Sequence, residues 1–223
     1  MREAFTILIL LLINISFLSC NDESDPSDPS VASYEVTFDF HWNSENFPDE
    51  YPSGSHFSPL IGWSHRPNSE FFQPGTNASD GIKRMAETGG TSTLRSEIED
   101  MINSGLGRQV EVGSGLGDGT GQITVEIEVD SENSAVTLST MIAPSPDWYV
   151  AVVNVNLLEN SNWVESKTVQ GMAYDAGTDS GVSYRSANLP TDPKEPIMLI
   201  MDAPLGNGST VTPDIATITF TRK

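Results

Sequence analysis

Hydrophobic and polar residues alternate along much of the chain after residue 33, as they do in half-buried β-strands. The clearest case is residues 34–42, where Tyr34, Val36 and Phe38 share one face while Glu35 shares the other with polar neighbours. Strand-like patterns also occur at residues 57–64, 123–129, 135–142, 148–157, 163–174, 197–201 and 210–221. Many short strands separated by turn residues predict an all-β fold, an antiparallel β-sandwich.

Two segments have the periodicity of short helices instead. Residues 78–87 place apolar side chains on one face, with Ser79 or Asn77 as the N-cap and a Gly-Gly pair after the end. Residues 91–104 repeat the helical spacing and stop before Gly105. We expect both helices to pack on the sheet as insertions between strands.

The glycine-rich segment 105–121 invites a phosphate-loop interpretation, which its sequence does not support. It contains neither GxxxxGK[ST] nor GxGxxG, and it leads into a strand rather than a helix. We expect an irregular loop there and no nucleotide site.

Two acidic turns enclose the strands between residues 149 and 169. The first turn carries Asp147 behind two prolines that stiffen the backbone. The second carries Asp175 and Asp179 beside Gly177 and Gly181, which permit backbone angles that other residues avoid and so allow a tight curl. Carboxylates that converge repel one another unless a cation lies between them. Hard oxygen ligands on flexible loops suit Ca²⁺. The alternative is that each aspartate caps its own backbone through an Asx turn.

Two stretches around these aspartates, "APSPDWYV" and "YDAGTDSGVSYRSANLPT", resemble the most distinctive motifs of the spondin domain, the N-terminal adhesive domain of F-spondin and mindin. Further matches follow in "HWNSENFPDEYPSGSHFSPLIGWSH" and "ASDGIKRMAETGG", so the resemblance covers roughly residues 34–203. It implies a C2-like β-sandwich that binds one Ca²⁺ through Asp147, Asp175 and Asp179. It also implies adhesion to extracellular matrix, a cell-surface protein or a glycan.

The N-terminus has the features of an export signal. Residues 1–19 combine Arg2 with a short apolar run, which is typical of a signal peptide. Ser19-Cys20 resembles the cleavage site of a bacterial lipoprotein, although Cys20 could also be an ordinary signal-peptide cysteine. The pattern predicts a lipidated cysteine and an acidic, disordered tether over residues 20–33. It predicts the spondin-like β-sandwich domain over residues 34–223. This organisation predicts a lipid anchor in the bacterial outer membrane, facing the cell surface.

The net charge of the chain limits the classes of partner that it can bind. The sequence has 31 Asp and Glu against 11 Lys and Arg, a net charge of −20. Nucleic acid and anionic lipid headgroups are therefore poor partners, and we expect membrane contact only through the lipid anchor. Divalent cations, in contrast, are favoured.

No motif in the sequence indicates an enzyme. GxSxG and HExxH are absent, and no carboxylate pair stands out as that of a glycan-active enzyme except the proposed calcium ligands. We expect His56 and His65 to form hydrogen bonds at strand ends rather than bind zinc, and Trp148 and Trp163 to lie in the core rather than form a sugar-stacking platform. The leading hypothesis is a binding module. A structural envelope protein without a dedicated ligand is the alternative.

Overall fold

The computed structural model describes residues 30–223, and the predictions for the signal peptide, for lipidation at Cys20 and for the tether up to residue 29 lie outside this range. In chain order the described elements are β1 (Val31–His41), β2 (His56–Phe57), β3 (Ile61–His65), α1 (Asp80–Thr88), α2 (Ser92–Asn103), β4 (Gly107–Val112), β5 (Thr120–Asp130), β6 (Ala135–Ala143), β7 (Trp148–Asn156), β8 (Leu158–Glu159), β9 (Asn162–Trp163), β10 (Ser166–Asp175), β11 (Met198–Leu199) and β12 (Ala216–Arg222).

Ten of the strands form one antiparallel sheet that folds into two layers. Its order is β4-β3-β6-β7-β10-β12-β1-β5, with β11 beside β10 and β2 beside β6. Strand β10 joins the layers, because residues 166–171 pair with β12 while residues 172–175 pair with β7. At the switch point a Cβ on Gly171 would lie 2.8 Å from the Val150 side chain, so only glycine fits without displacing a neighbour. The predicted antiparallel β-sandwich is confirmed.

The core fills the space between the layers. Tyr34, Val36, Phe38 and Phe40 of β1 all point inward, as the alternation predicted, and Phe40 stacks on Phe57 with ring centroids 3.9 Å apart. Burying each such side chain contributes about 1.5–3 kcal/mol. The core thus holds the strands that carry the acidic turns.

The two helices cover the outer face of the layer that contains β3, β6 and β7, as expected of insertions between strands. Ile82 and Met85 of α1 and Leu94 of α2 pack in a second apolar cluster with Trp63 and Tyr149 of the sheet. Strand β6 lies under this cover, and all nine of its residues are buried. Neither helix, nor any other in residues 30–223, is long and apolar enough to cross a bilayer.

The capping residues end both helices within two residues of the positions predicted from the sequence. The Ser79 hydroxyl caps α1 by accepting a hydrogen bond from the Ile82 N–H at 3.1 Å, and Gly89 ends the helix in the left-handed conformation, with φ of 68°. Helix α2 ends at Asn103, two residues before Gly105.

The expectation of an irregular loop over residues 105–121 is wrong in part. Strand β4 pairs with β3 at the end of the sheet, and its Val110 and Val112 alternate with Gln109 and Glu111 in the strand pattern that the flanking glycines obscured. At the other end of the domain, β12 starts at Ala216 rather than at residue 210.

Strand β1 starts earlier than the predicted domain boundary. Its pairing with β5 extends back to Val31 opposite Asp130, so residues 31–33 of the predicted tether belong to this strand.

Candidate functional site

The fold brings the two acidic turns together at one end of the sandwich. Asp147 lies in the turn between β6 and β7, and Asp175 is the last residue of β10. Because β7 and β10 are neighbours, Asp175 pairs with Trp148, the residue that follows Asp147. The backbone N–H of Ala176 also donates to the Asp147 carbonyl at 3.2 Å.

The carboxylate of Asp147 links the turns directly. Its side chain is fully buried, and Oδ2 accepts hydrogen bonds from the Thr178 N–H at 2.7 Å, the Asp179 N–H at 3.0 Å and the Thr178 hydroxyl at 3.1 Å. Its other oxygen, Oδ1, is buried and has no hydrogen-bond partner among residues 30–223. A buried carboxylate oxygen without a partner is costly, so this atom marks a place where a ligand would be stabilised.

Asp175 and Asp179 each form an Asx turn, the alternative role considered from the sequence. Asp175 Oδ1 accepts from the Gly177 N–H at 2.7 Å, and Asp179 Oδ1 accepts from the Gly181 N–H at 2.8 Å. The second oxygen of each also has a donor: the Trp148 indole N–H at 3.2 Å for Asp175, and the Leu189 N–H at 2.9 Å for Asp179. These bonds fix the direction of both side chains, and a carboxylate oxygen with one donor retains a further lone pair.

Burial and like charge disfavour the ionised carboxylates. Burial, together with the neighbouring Asp175 charge, raises the pKa of Asp147 to about 7 against the opposing hydrogen bonds from Thr178 and Asp179. Burial also raises the pKa of Asp175, helped by the charges of Glu195 and Asp179. None of the ion pairs in residues 30–223 involves Asp147, Asp175 or Asp179. A cation from outside the chain would relieve this repulsion.

The glycines of the second turn have two different roles. Gly177 has φ of +69°, and a Cβ there would lie 2.2 Å from the Glu195 carbonyl oxygen, so both angle and space require glycine. Gly181 is not at a positive φ; a Cβ there would lie 2.6 Å from Pro146 of the first turn. The expectation that Gly181 supplies an unusual backbone angle is therefore wrong, since what it supplies is close contact between the turns.

A connection to helix α1 was missed from the sequence. The Thr178 hydroxyl lies 2.9 Å from Glu87 Oε1, a contact between residues 91 positions apart. Glu87 also forms an ion pair with Lys83, at 3.1 Å. No local signal could have indicated this contact, because it depends on how the helix packs over the sheet.

Comparison with known proteins identifies the family. The sequence model of the Spondin_N family matches residues 32–208. The chain belongs to this family. Human Spondin-2 is 31% identical over 201 residues, which cover 87% of this chain and 60% of that protein. Rat Spondin-1 is 33% identical over 175 residues, covering 75% of this chain but only 21% of that protein. The matched part of this chain thus spans about three fifths of the length of Spondin-2 and about a fifth of Spondin-1.

The carboxylate oxygens of the two turns are of the chemical type that binds calcium, but they do not form a complete coordination shell. No group of three or more His, Cys, Asp or Glu side chains in residues 30–223 is arranged to hold a metal ion as it stands. The carboxylate oxygens of Asp147 and of the neighbouring Asp175 are nevertheless hard donors of the kind that Ca²⁺ prefers. Asp179 joins the same pair of turns through its backbone N–H, which donates to Asp147.

The other residues singled out from the sequence lie in the core or at strand ends. Trp148 and Trp163 are 4% and 8% exposed and belong to the main core, as expected. His65 is buried, with Nε2 at 2.8 Å from the Thr137 hydroxyl and Nδ1 at 2.7 Å from the Arg66 carbonyl oxygen. Burial lowers the pKa of His65. His56 is exposed, with Nδ1 at 2.9 Å from the Gly54 carbonyl oxygen.

Proposed function

We propose that this spondin domain is a calcium-binding adhesion module displayed on the surface of a bacterial cell. Asp147, Asp175 and Asp179 would hold the ion, and the bound domain would attach to extracellular matrix, a cell-surface protein or a glycan. Export and lipid anchoring at Cys20 are part of the proposal on the strength of residues 1–33 of the sequence. Family membership supports the adhesive role, because spondin domains form the adhesive region of the proteins that the motifs resemble.

One observation carries the calcium part of the proposal. Asp147 has a fully buried carboxylate, one oxygen of which has no hydrogen-bond partner in the described part of the chain, and the negative charge of Asp175 acts on it directly. Such an arrangement destabilises the ionised site in the absence of a cation. A divalent cation converts the repulsion into attraction, and oxygen ligands on turns favour Ca²⁺ over Mg²⁺, which requires a more rigid octahedral shell.

The role of calcium would be structural. When bound, it supplies the positive charge that the three carboxylates lack. Asp147 already joins the turns through its bonds to the Thr178 and Asp179 N–H groups, and Gly181 packs on Pro146 beside them. A cation would add a further link between the same turns and fix the shape of this end of the sandwich for a partner.

Unfolding of the soluble chain that begins after Cys20 tests the proposal. The free energy of unfolding is measured in urea with chelator, with millimolar Ca²⁺ and with the same concentration of Mg²⁺. At about 100 times the Kd, calcium should stabilise the fold by about 2.7 kcal/mol. Mg²⁺ should add much less, although any divalent cation stabilises an acidic chain slightly.

Two sets of variants decide whether the stabilisation comes from this site. Asp175→Asn and Asp179→Asn should abolish the calcium-specific part, while Asp100→Asn, which removes an exposed charge on α2, should keep it. Equal stabilisation by Ca²⁺ and Mg²⁺, or the same calcium response in all variants, would show that the aspartates serve only as turn caps.

A further inference from the structure

Large hydrophobic side chains on the surface are concentrated in one part of the molecule. Seven such side chains are exposed among residues 30–223, and five of them line two adjoining clefts: Met172, Val182, Met198, Leu199 and Met201. The larger cleft has a volume of about 350 Å³ and the smaller about 130 Å³. Both are bordered by residues 199–201, so β11 and the residue pair after it form a shared ridge. Exposed apolar patches of this kind mark interaction sites.

The polar lining of these clefts is acidic. Asp175, Asp179, Glu195 and Asp202 line the larger cleft and Asp214 the smaller one, while no Lys, Arg or His among residues 30–223 lines either. Within residues 30–223, Glu195 and Asp202 take part in none of the ion pairs. The exposed carboxylates of this surface are thus available to cations of a partner.

We propose that the two clefts dock a segment of a partner protein in which Lys or Arg residues alternate with aliphatic residues. The cations would face Glu195 and Asp202, and the aliphatic side chains would cover Met198, Leu199 and Met201. Methionine side chains are flexible and polarizable, so they can adapt to aliphatic groups of different shapes. Opposite charge would steer the partner toward the site and fix its register.

Charge also decides between possible occupants. The acidic segment 21–30 of the chain itself contains Asp and Glu but no Lys or Arg, so it does not complement the clefts. A second copy of the chain is also disfavoured, because each copy carries a net charge of −20. A cationic partner satisfies both the carboxylates and the apolar ridge.

The inference extends the binding role proposed above and does not require calcium. Asp175 and Asp179 line the larger cleft and are also proposed calcium ligands, but the residues assigned to the partner, such as Glu195, Met201 and Asp202, are not. A failed calcium titration would therefore leave it standing, and its own failure would leave the calcium site standing.

Peptide binding to the soluble chain tests the inference. The probe is a fluorescein-labelled octapeptide that consists of two copies of Lys-Leu-Lys-Ser. Its binding is measured by fluorescence anisotropy at low salt. Two reference peptides replace every Lys by Glu or every Leu by Ser. We expect the Lys-Leu probe to bind at least about tenfold more tightly than either reference, and its binding to weaken as salt rises. No binding of the probe, or equal binding of all three peptides, would overturn the proposal.

Matched variants locate the binding surface. Met201→Ser combined with Asp202→Asn changes the clefts, and Leu106→Ser combined with Asp100→Asn makes the same kind of change on the exposed surface near α2. The cleft variant should lose about tenfold in affinity for the probe, and the α2 variant less than about twofold. Similar losses in both variants would overturn the proposal.

A charge reversal provides a second test that does not depend on the apolar substitution. Glu195 is exposed and its side chain is in no ion pair of residues 30–223, so Glu195→Lys is compatible with the fold. It should weaken binding of the Lys-Leu probe and strengthen binding of the Glu-Leu reference. Unchanged preference for the two peptides would count against this surface as the binding site.

Discussion

Two buried or partly buried aspartates in this domain have the same kind of hydrogen bonds but different electrostatic surroundings. Asp130, the last residue of β5 before the following turn, accepts hydrogen bonds from the Glu132 N–H at 3.0 Å and from the Asn133 N–H at 2.8 Å, and it pairs with Arg108 at 3.2 Å. Asp147 also accepts hydrogen bonds from backbone N–H groups, but no Lys or Arg among residues 30–223 pairs with it. The two carboxylates differ in burial and in their charged neighbours, because Asp130 is partly exposed beside Arg108 whereas Asp147 is fully buried beside Asp175.

The pKa values move in opposite directions as a result. Burial acts to raise the pKa of Asp130, but the hydrogen bonds of Asn133 and Glu132 and the Arg108 guanidinium lower it overall. Burial and the Asp175 charge raise the pKa of Asp147 to about 7 in spite of its hydrogen bonds. Hydrogen bonds alone therefore do not offset burial beside a second carboxylate, and a bound cation would favour the ionised form of Asp147.

The largest expected effect comes from removing the Asp147 charge. In chelator at pH 8, Asp147→Asn should raise the free energy of unfolding by a few kcal/mol, because a pKa raised from 3.8 to about 7 makes ionisation cost up to about 4 kcal/mol. The folded state binds the Asp147 proton more tightly than the unfolded state. The stabilisation of the folded state by the Asp147 proton is therefore complete below pH 3.8 and is lost as the pH rises through about 7.

Urea unfolding at pH 5 and pH 8 measures this effect. The advantage of Asp147→Asn over the wild type should be less than half as large at pH 5 as at pH 8, and saturating Ca²⁺ should reverse the order of the two proteins. Asp202→Asn, which removes an exposed carboxylate, is the control and should change stability little at either pH. A less stable Asp147→Asn protein in chelator at pH 8 would mean that the carboxylate stabilises the turns without a cation.

The contrast also shows what the sequence could predict. The alternation around Tyr34 and the capping residue Ser79 act over a few neighbours, so strand β1 and helix α1 were predictable from local pattern. The aspartates of the two turns were found because turn chemistry is also local. The depth of Asp147 and its link through Thr178 to Glu87 depend on contacts 31 and 91 residues apart, which local pattern cannot indicate.

A smaller effect is expected when the cation of the Asp130 turn is removed. Arg108 bridges Glu128 at 2.9 Å and Asp130 at 3.2 Å, and Arg108→Gln should lower the free energy of unfolding at pH 7 by about 1 kcal/mol, since both pairs are partly exposed. The loss should shrink as the salt concentration rises and as the pH falls through the lowered pKa of Asp130. Arg95→Gln, which breaks one exposed pair on α2, is the matched control with an expected loss of about 0.3–0.5 kcal/mol. Equal losses in the two variants would show that Arg108 has no special role in this turn.

The smallest expected effect concerns the hydroxyl between the Asp147 turn and helix α1. The Thr178 Oγ1 atom lies within hydrogen-bond distance of both Glu87 and Asp147, yet it has one proton and can donate to only one carboxylate at a time. Thr178→Val preserves the shape and the N–H that donates to Asp147, so it should cost only about 0.5–1 kcal/mol in urea unfolding, close to the net contribution of one hydrogen bond.

Calcium affinity should also differ between the wild type and Thr178→Val. An ion bound to the aspartates needs Asp147 in a fixed orientation, so Thr178→Val should also weaken calcium affinity by a few fold, and Thr178→Ser should restore both properties. Isothermal titration of calcium into the three proteins measures this. If the valine variant binds calcium as tightly as the wild type, the backbone N–H groups of Thr178 and Asp179 alone orient the carboxylate, and the contact with Glu87 serves only to hold the helix.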